Sequence, residues 1–274
     1  MRQFAGIGLL VLAGLSARGT GNGPMMSKAS GSEARVPVVV ELFTSEGCSS
    51  CPPADSFLTE LERQQPYGPA EVIALEEHVD YWDQQGWVDP FSSSNWTSRQ
   101  FVYSGTLGNG NPYTPQMVVD GRDEFVGSHI VKARQAIEMA AATKKTKVSV
   151  SEGVPAENKS VTFNINVDRL QSLTAGDTPE VVFAVTAAGL YSSVTAGENS
   201  GKMLHHAPVL REMKVIGTAD KGGSEGFAAR RTVKLNSSWK LENLRAVVFV
   251  QEKKSRHILG AAAVRFAPED WKSR

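Results

Sequence analysis

Glu41-Leu42-Phe43-Thr44-Ser45-Glu46-Gly47-Cys48-Ser49-Ser50-Cys51-Pro52-Pro53-Ala54-Asp55 is the stretch on which the reading of this chain turns. It begins inside a β-branched run, residues 38–43, with the composition of a strand buried on both faces. Pro37 sits at the strand's entry, where a missing N–H is tolerated. After the turn at Gly47, residues 48–64 form a helix. Ala54, Phe57, Leu58 and Leu61 fall on its inner side, and Asp55, Glu60, Glu62 and Arg63 on the side facing water. Residues 71–79 are a second strand, so the opening is a β-α-β unit with a right-handed parallel crossover.

Further along, residues 82–106 are loop and helix, most helical near 95–103. Residues 116–120 and 124–126 are short strands turning at Asp120-Gly121, a sequence that favours a tight hairpin. Ser128 caps a helix running to about residue 142, with Ile130, Ala133, Ile137, Ala140 and Ala141 inward. From residue 147 the texture changes to strand-like runs at 147–151, 161–167, 180–187, 209–217, 227–235, 245–251 and 257–266. Val161, Phe163, Ile165 and Val167 alternate with polar residues, the period of a strand with one face in a core. Seven such strands separated by turns predict a β-sandwich.

The 274 residues favour two modest domains over one. Their expected bounds are 34–143 for an α/β domain and 146–268 for the all-β one. Residues 1–22 read as a signal peptide and the start of a linker: one early positive charge, then an apolar run at 4–15 too short for a membrane span of ~20 residues. The expected location is periplasmic or secreted, with no membrane span in the mature chain. Lysine plus arginine equals aspartate plus glutamate at 29 each, so no excess positive charge is available for phosphates and nucleic-acid binding is not expected.

Both cysteines of the chain lie in the opening stretch. Three readings compete for them: redox chemistry, a structural bridge and metal ligation. A bridge across four residues stabilises by only ~2 kcal/mol in the chain-entropy model, against ~3 for fifteen. A closed zinc site needs four ligands, and His78, His129, His205, His206 and His257 show no paired spacing beyond the adjacent His205-His206; no metal ligand set is assigned. The redox reading has a mechanism, because a cysteine at a helix start meets unpaired N–H groups and the positive end of the dipole, which stabilise a thiolate. Cys48 is then the nucleophile and Cys51 the resolving thiol. Pro52 and Pro53 fit a first helical turn, although they place the regular helix after Cys51 and weaken the dipole at Cys48.

The strand, the Cys-x-x-Cys at its carboxyl end, the helix behind it and Thr114-Pro115 before a later strand resemble the thioredoxin superfamily. That resemblance implies an α/β thioredoxin-like fold preceding the all-β sandwich-like part, a cis Pro115 packed beside the cysteines, and a peptide held by Thr114. It also points to Glu41 as the candidate proton acceptor for Cys51, against a plain strand-end glutamate facing solvent. Ser49-Ser50 departs from the Gly-Pro of thioredoxins and the Pro-His of strong oxidants. More narrowly, the 41–55 string, His78-Val79-Asp80-Tyr81-Trp82-Asp83 with Gly86-Trp87, and Gly197-Glu198-Asn199 are similar to the secreted bacterial family catalogued as domain of unknown function 1223.

His78, Asp80, Tyr81, Trp82, Asp83 and Trp87 fall at the sheet edge that carries Cys48, where ligands collect in open parallel sheets. His78 and Trp82 are therefore candidate substrate-binding residues beside Thr114 and Pro115, while the tryptophans also suit core closure. Gly197 to Gly201, followed by His205, His206 and Arg211, make a polar loop that either faces the first domain or a partner, or is a solvated connection between strands. The function expected is an exported thiol-disulfide oxidoreductase with an accessible Cys48/Cys51 pair, acting on a disulfide-containing protein or a small thiol, with no cofactor. The alternatives are a non-catalytic envelope binding module on a thioredoxin scaffold, or a copper-binding thiol protein using Cys48, Cys51 and His78.

Overall fold

A computed structural model of the chain describes residues 35–151, 154–156, 160–220 and 226–266. The predicted signal peptide at 1–22 lies outside the described residues. The elements of the first half are β1 (Val36–Thr44), α1 (Pro52–Gln64), β2 (Ala70–His78), α2 (Ser94–Thr106), β3 (Gln116–Val119), β4 (Asp123–Val126) and α3 (Ile130–Ala141). Then come strands only: β5 (Val148–Val150), β6 (Val154–Ala156), β7 (Ser160–Val167), β8 (Pro179–Ala187), β9 (Tyr191–Ser193), β10 (Met203–His205), β11 (Val209–Thr218), β12 (Phe227–Lys234), β13 (Leu244–Glu252) and β14 (Ile258–Arg265).

The predicted fold class does not survive. Eight strands form one mixed sheet in the order β14-β13-β8-β11-β2-β1-β3-β4, so the protein is mostly β rather than an α/β thioredoxin-like fold followed by a β-sandwich. The two halves join where β11 runs parallel to β2 with Val209 opposite Glu76, supported by the Glu76 N–H donating to Pro208 O at 3.0 Å. One residue pair makes this junction, and no periodicity in the sequence announces it.

Alternation along the strands sorts the core. Val39, Ile73, Leu75, Val182, Ala184, Val247 and Phe249 meet Trp96 of α2 on one face. On the other, Val38, Val40, Leu42, Val72 and Ala74 pack under α1 and α3. Val181, Phe183, Val185, Ala246 and Val248 pack there too, against Val161, Phe163, Ile165 and Val167 of the smaller sheet formed by β12, β7, β5 and β6. At the β3-β4 turn Asp120 and Gly121 both have positive φ, 49° and 62°, the backbone expected of that tight turn. The helix expected to be capped by Ser128 has His129 at its cap position and no side-chain cap.

Candidate functional site

The helix behind the cysteines begins at Pro52, with Cys51 as its cap residue. The Cys51 carbonyl accepts from the N–H groups of Ala54 and Asp55 at 2.8 and 3.2 Å, and Cys48 O accepts from Cys51 N–H at 3.2 Å. Cys48 thus lies a turn ahead of the helix. Two of the amides that would otherwise face it belong to prolines and carry no hydrogen.

Cys48 and Cys51 are joined in a disulfide with 5.5 Å between their Cα atoms. Both are fully buried, although the two serines between them are exposed. The expected accessible pair is therefore shielded, and one distant loop is tied to its turn. β9 and β10 form a hairpin whose connecting residues, 194–202, reach across to the cysteine turn. Asn199 Nδ2 donates to Glu46 O at 2.8 Å and to Cys48 O at 3.0 Å, while its Oδ1 accepts from Lys202 Nζ at 2.8 Å. The Glu198 carboxylate accepts from Ser49 N–H at 3.1 Å. Gly197, at φ +70°, brings the loop so close that a Cβ there would sit 3.1 Å from Trp87 Cβ.

Three of the residues expected to bind substrate gather around this turn. Trp82 Nε1 donates to Thr114 Oγ1 at 2.9 Å, and a Cβ on Gly47 would meet Trp82 Cβ at 3.1 Å. The Thr114–Pro115 peptide is cis. Pro115 comes near Ala54 of α1 over Gly127, where a Cβ would lie 3.0 Å from Ala54 and 3.4 Å from Pro115.

Glu41 and His78 are held elsewhere. Glu41 points to the sheet face away from α1, where it accepts from Tyr103 OH and Arg99 Nε, each at 2.5 Å. Burial would raise its carboxyl, but the Arg99 guanidinium holds it below the ordinary range. Neighbouring Glu77, buried and facing the Glu41 charge, is pushed well up. His78 lies on the α1 face but in a buried polar cluster. Its Nδ1 is 2.6 Å from Asp89 Oδ2 and its Nε2 3.5 Å from Glu76 Oε1. The His206 ring stands 4.9 Å away, with Nε2 2.9 Å from Glu46 Oε1 and Nδ1 3.3 Å from Glu76 Oε1. Burial lowers His206, yet its hydrogen bonds to Glu46 and Glu76 carry it up to about 9.

Asp55, expected to face water, is buried and accepts from Thr44 Oγ1 at 2.6 Å. Burial first, and then the Glu76 charge, pushes its carboxyl up to about 8. The signal was present in the spacing: Cys51, Ala54, Asp55 and Leu58 make one helical stripe at i, i+3, i+4 and i+7. Glu76 was equally visible as the residue two before His78, hence on the same strand face. Asn199 carries no such local mark, because its partners lie 151 and 153 residues away.

A mixed, mostly β sheet with a Cys-x-x-Cys disulfide at the end of its first strand, roofed by a distant loop, defines the class. The chain belongs to the family described as "Protein of unknown function (DUF1223)", which matches residues 39–251. The crystal structure of protein AGR_C_4864 from Agrobacterium tumefaciens is similar at 25% identity and a TM-score of 0.63, over 86% of this chain and 96% of that one. HBP35 of Porphyromonas gingivalis is similar in fold, with 16% identity and a TM-score of 0.57 over 85% of this chain and 76% of its own. No curated protein matches.

Proposed function

We propose that this protein exchanges disulfides through Cys48 and Cys51 in an oxidising, extracytoplasmic compartment, with the 194–202 loop gating access. The observation that carries the reading is the disulfide joining the chain's two cysteines at the start of α1, beneath a roof fixed by polar contacts. A bridge that closes so short a loop adds little stability, and stable disulfides are a mark of oxidising compartments.

In the dithiol form the Cys48 thiolate attacks a substrate disulfide. The substrate S–S bond breaks, one substrate sulfur leaves as a thiolate and takes a proton, and a mixed disulfide remains on Cys48. Cys51 then loses its proton and attacks Cys48 Sγ, the mixed disulfide breaks, and the second substrate sulfur leaves as a thiol. The substrate ends reduced by two electrons and the pair ends as a disulfide; a dithiol co-reactant restores it by the reverse steps. Asp55 lies one helical turn after Cys51, and its carboxyl, raised to about 8, is close to a thiol's own range, so its ionised form is suited to take the Cys51 proton. Trp82 and Thr114 supply the wall along which a substrate lies.

Incubating the Cys51→Ser variant with a disulfide-bonded peptide tests this. A mixed disulfide on Cys48 should accumulate, and Cys48→Ser should form none. No adduct in the folded Cys51→Ser protein would refute the exchange.

A further inference from the structure

Beyond the cysteine pair, we propose that Glu76, His78 and His206 bind a divalent transition-metal ion of the zinc class. One donor atom from each residue lies within 4.8 Å of the others, and all three residues are buried. Two ligands at ~2.0–2.1 Å from zinc in tetrahedral array stand about 3.3–3.4 Å apart. The Glu76 Oε1 to His206 Nδ1 and Glu76 Oε1 to His78 Nε2 separations are 3.3 and 3.5 Å. Two edges of a coordination polyhedron are therefore already formed, and the third, between the rings, closes as the ion is taken up.

The surroundings point the same way. Asp89 Oδ2 holds His78 through Nδ1 at 2.6 Å, leaving Nε2 turned towards Glu76. Glu46 Oε1 holds His206 through Nε2, and Nδ1 is turned towards the Glu76 carboxylate, where the ion takes the place of the proton the two share. A carboxylate behind each imidazole is the usual outer support of a metal-bound histidine, because it fixes ring and tautomer. Trp87 Nε1, donating to Glu46 Oε2 at 2.7 Å, steadies one of these supports.

A second observation is independent of the arrangement. Glu76 Oε2 and His78 Nε2 are buried atoms that make no hydrogen bond, although leaving such a group unsatisfied costs about 1–3 kcal/mol. An ion bound by His78 Nε2 and by both oxygens of the Glu76 carboxylate satisfies both. Two histidines and one carboxylate also form a set that zinc accepts while keeping a coordination position open, and Glu46, Glu76 and Asp89 place three carboxylates at or beside the histidines that would hold the cation.

The test is equilibrium titration of the full-length disulfide form with Zn2+, and with Co2+ as a visible probe. One equivalent should bind, with a Co2+ spectrum lacking sulfur-to-metal charge transfer. The Cys48→Ser/Cys51→Ser variant should bind equally well, which separates this site from the cysteine chemistry. His206→Ala should weaken binding at least a hundredfold, and Asp89→Asn, which leaves all three ligands in place, about ten- to a hundredfold. Absence of stoichiometric uptake by the folded native protein would overturn the proposal. So would a thiolate charge-transfer band, or undiminished affinity in folded His206→Ala. Should His206→Ala not fold, the native Co2+ spectrum together with Asp89→Asn decides the matter.

Discussion

Asn199 Nδ2 donates to the backbone carbonyl of Cys48 at 3.0 Å, tying a loop in the β-rich half to the cysteine turn across 151 residues of chain. A second bond, to Glu46 O, makes the amide a two-point clasp. Since both cysteines are fully buried, the proposed exchange requires their surroundings to open, with this loop as the proposed gate.

Asn199→Ala should therefore quicken reduction of the disulfide by a small thiol. Two hydrogen bonds at about 1 kcal/mol each correspond to a roughly ten- to thirtyfold larger open population. Stopped sampling with thiol quenching measures the rate. An unchanged rate in the folded variant would show that the loop is not the gate.

Glu198 adds a charge at the same place, its carboxylate resting on the Ser49 N–H. Attacking thiolates are anions and meet like charge there. Glu198→Gln should raise the rate with a negatively charged thiol about two- to fivefold at low salt, with the difference fading towards 1 M salt as screening shortens to about 3 Å. A neutral thiol should show a smaller effect. Rates measured across ionic strength check the prediction.

Asp55 gives a pH signature. Burial and Glu76 raise its folded carboxyl to about 8, against about 3.9 in an unfolded chain. Its contribution to stability is complete below the lower value and is lost as pH rises towards the upper one. Asp55→Asn, which keeps an acceptor for Thr44, should match the parent near pH 4 and exceed its stability by at least about 1 kcal/mol at pH 8. The same variant should exchange disulfides at least about tenfold more slowly, because the proton relay is gone. Urea unfolding at the two pH values, paired with exchange kinetics, reads both effects.

Glu41 and Arg99 form a buried ion pair on the opposite sheet face. Arg99→Met should destabilise by about 3–5 kcal/mol, because it strands the Glu41 charge, and adding Glu41→Gln should recover much of that loss. Glu41→Gln alone should leave exchange rates unchanged. A large fall in its exchange rate would instead return Glu41 to the role of proton acceptor for Cys51.

Much of the secondary structure was legible, because it is written in local patterns. The run at 161–167 alternates and is β7; the run at 209–217 is β11, Val209–Thr218. Pairing was not legible. β11 pairs with β2 at the single register position Val209–Glu76, beside the bond from Glu76 N–H to Pro208 O, and this short junction makes the strands of both halves one mixed sheet. The three-residue strands β9 and β10 are too short to show a period, so the hairpin that carries the roof went unseen. At the site, Cys48, Cys51, Trp82 and Thr114 could be named from residue type and position. Asp55 is polar, which points to water, while its helical spacing from Cys51 and Leu58 places it on the buried stripe. Glu76 and His206 come together only when the loop before β11 folds back on the end of β2, a contact between residues 130 positions apart.

The most direct test of disulfide exchange at Cys48 and Cys51 is equilibration of the native protein in glutathione redox buffers, with the disulfide quantified by alkylation and the fold followed by near-UV circular dichroism. A reversible two-electron titration between dithiol and disulfide is expected, with the folded signal kept throughout. A disulfide that yields only when the protein unfolds would contradict it, leaving the bridge a structural element under a permanent roof.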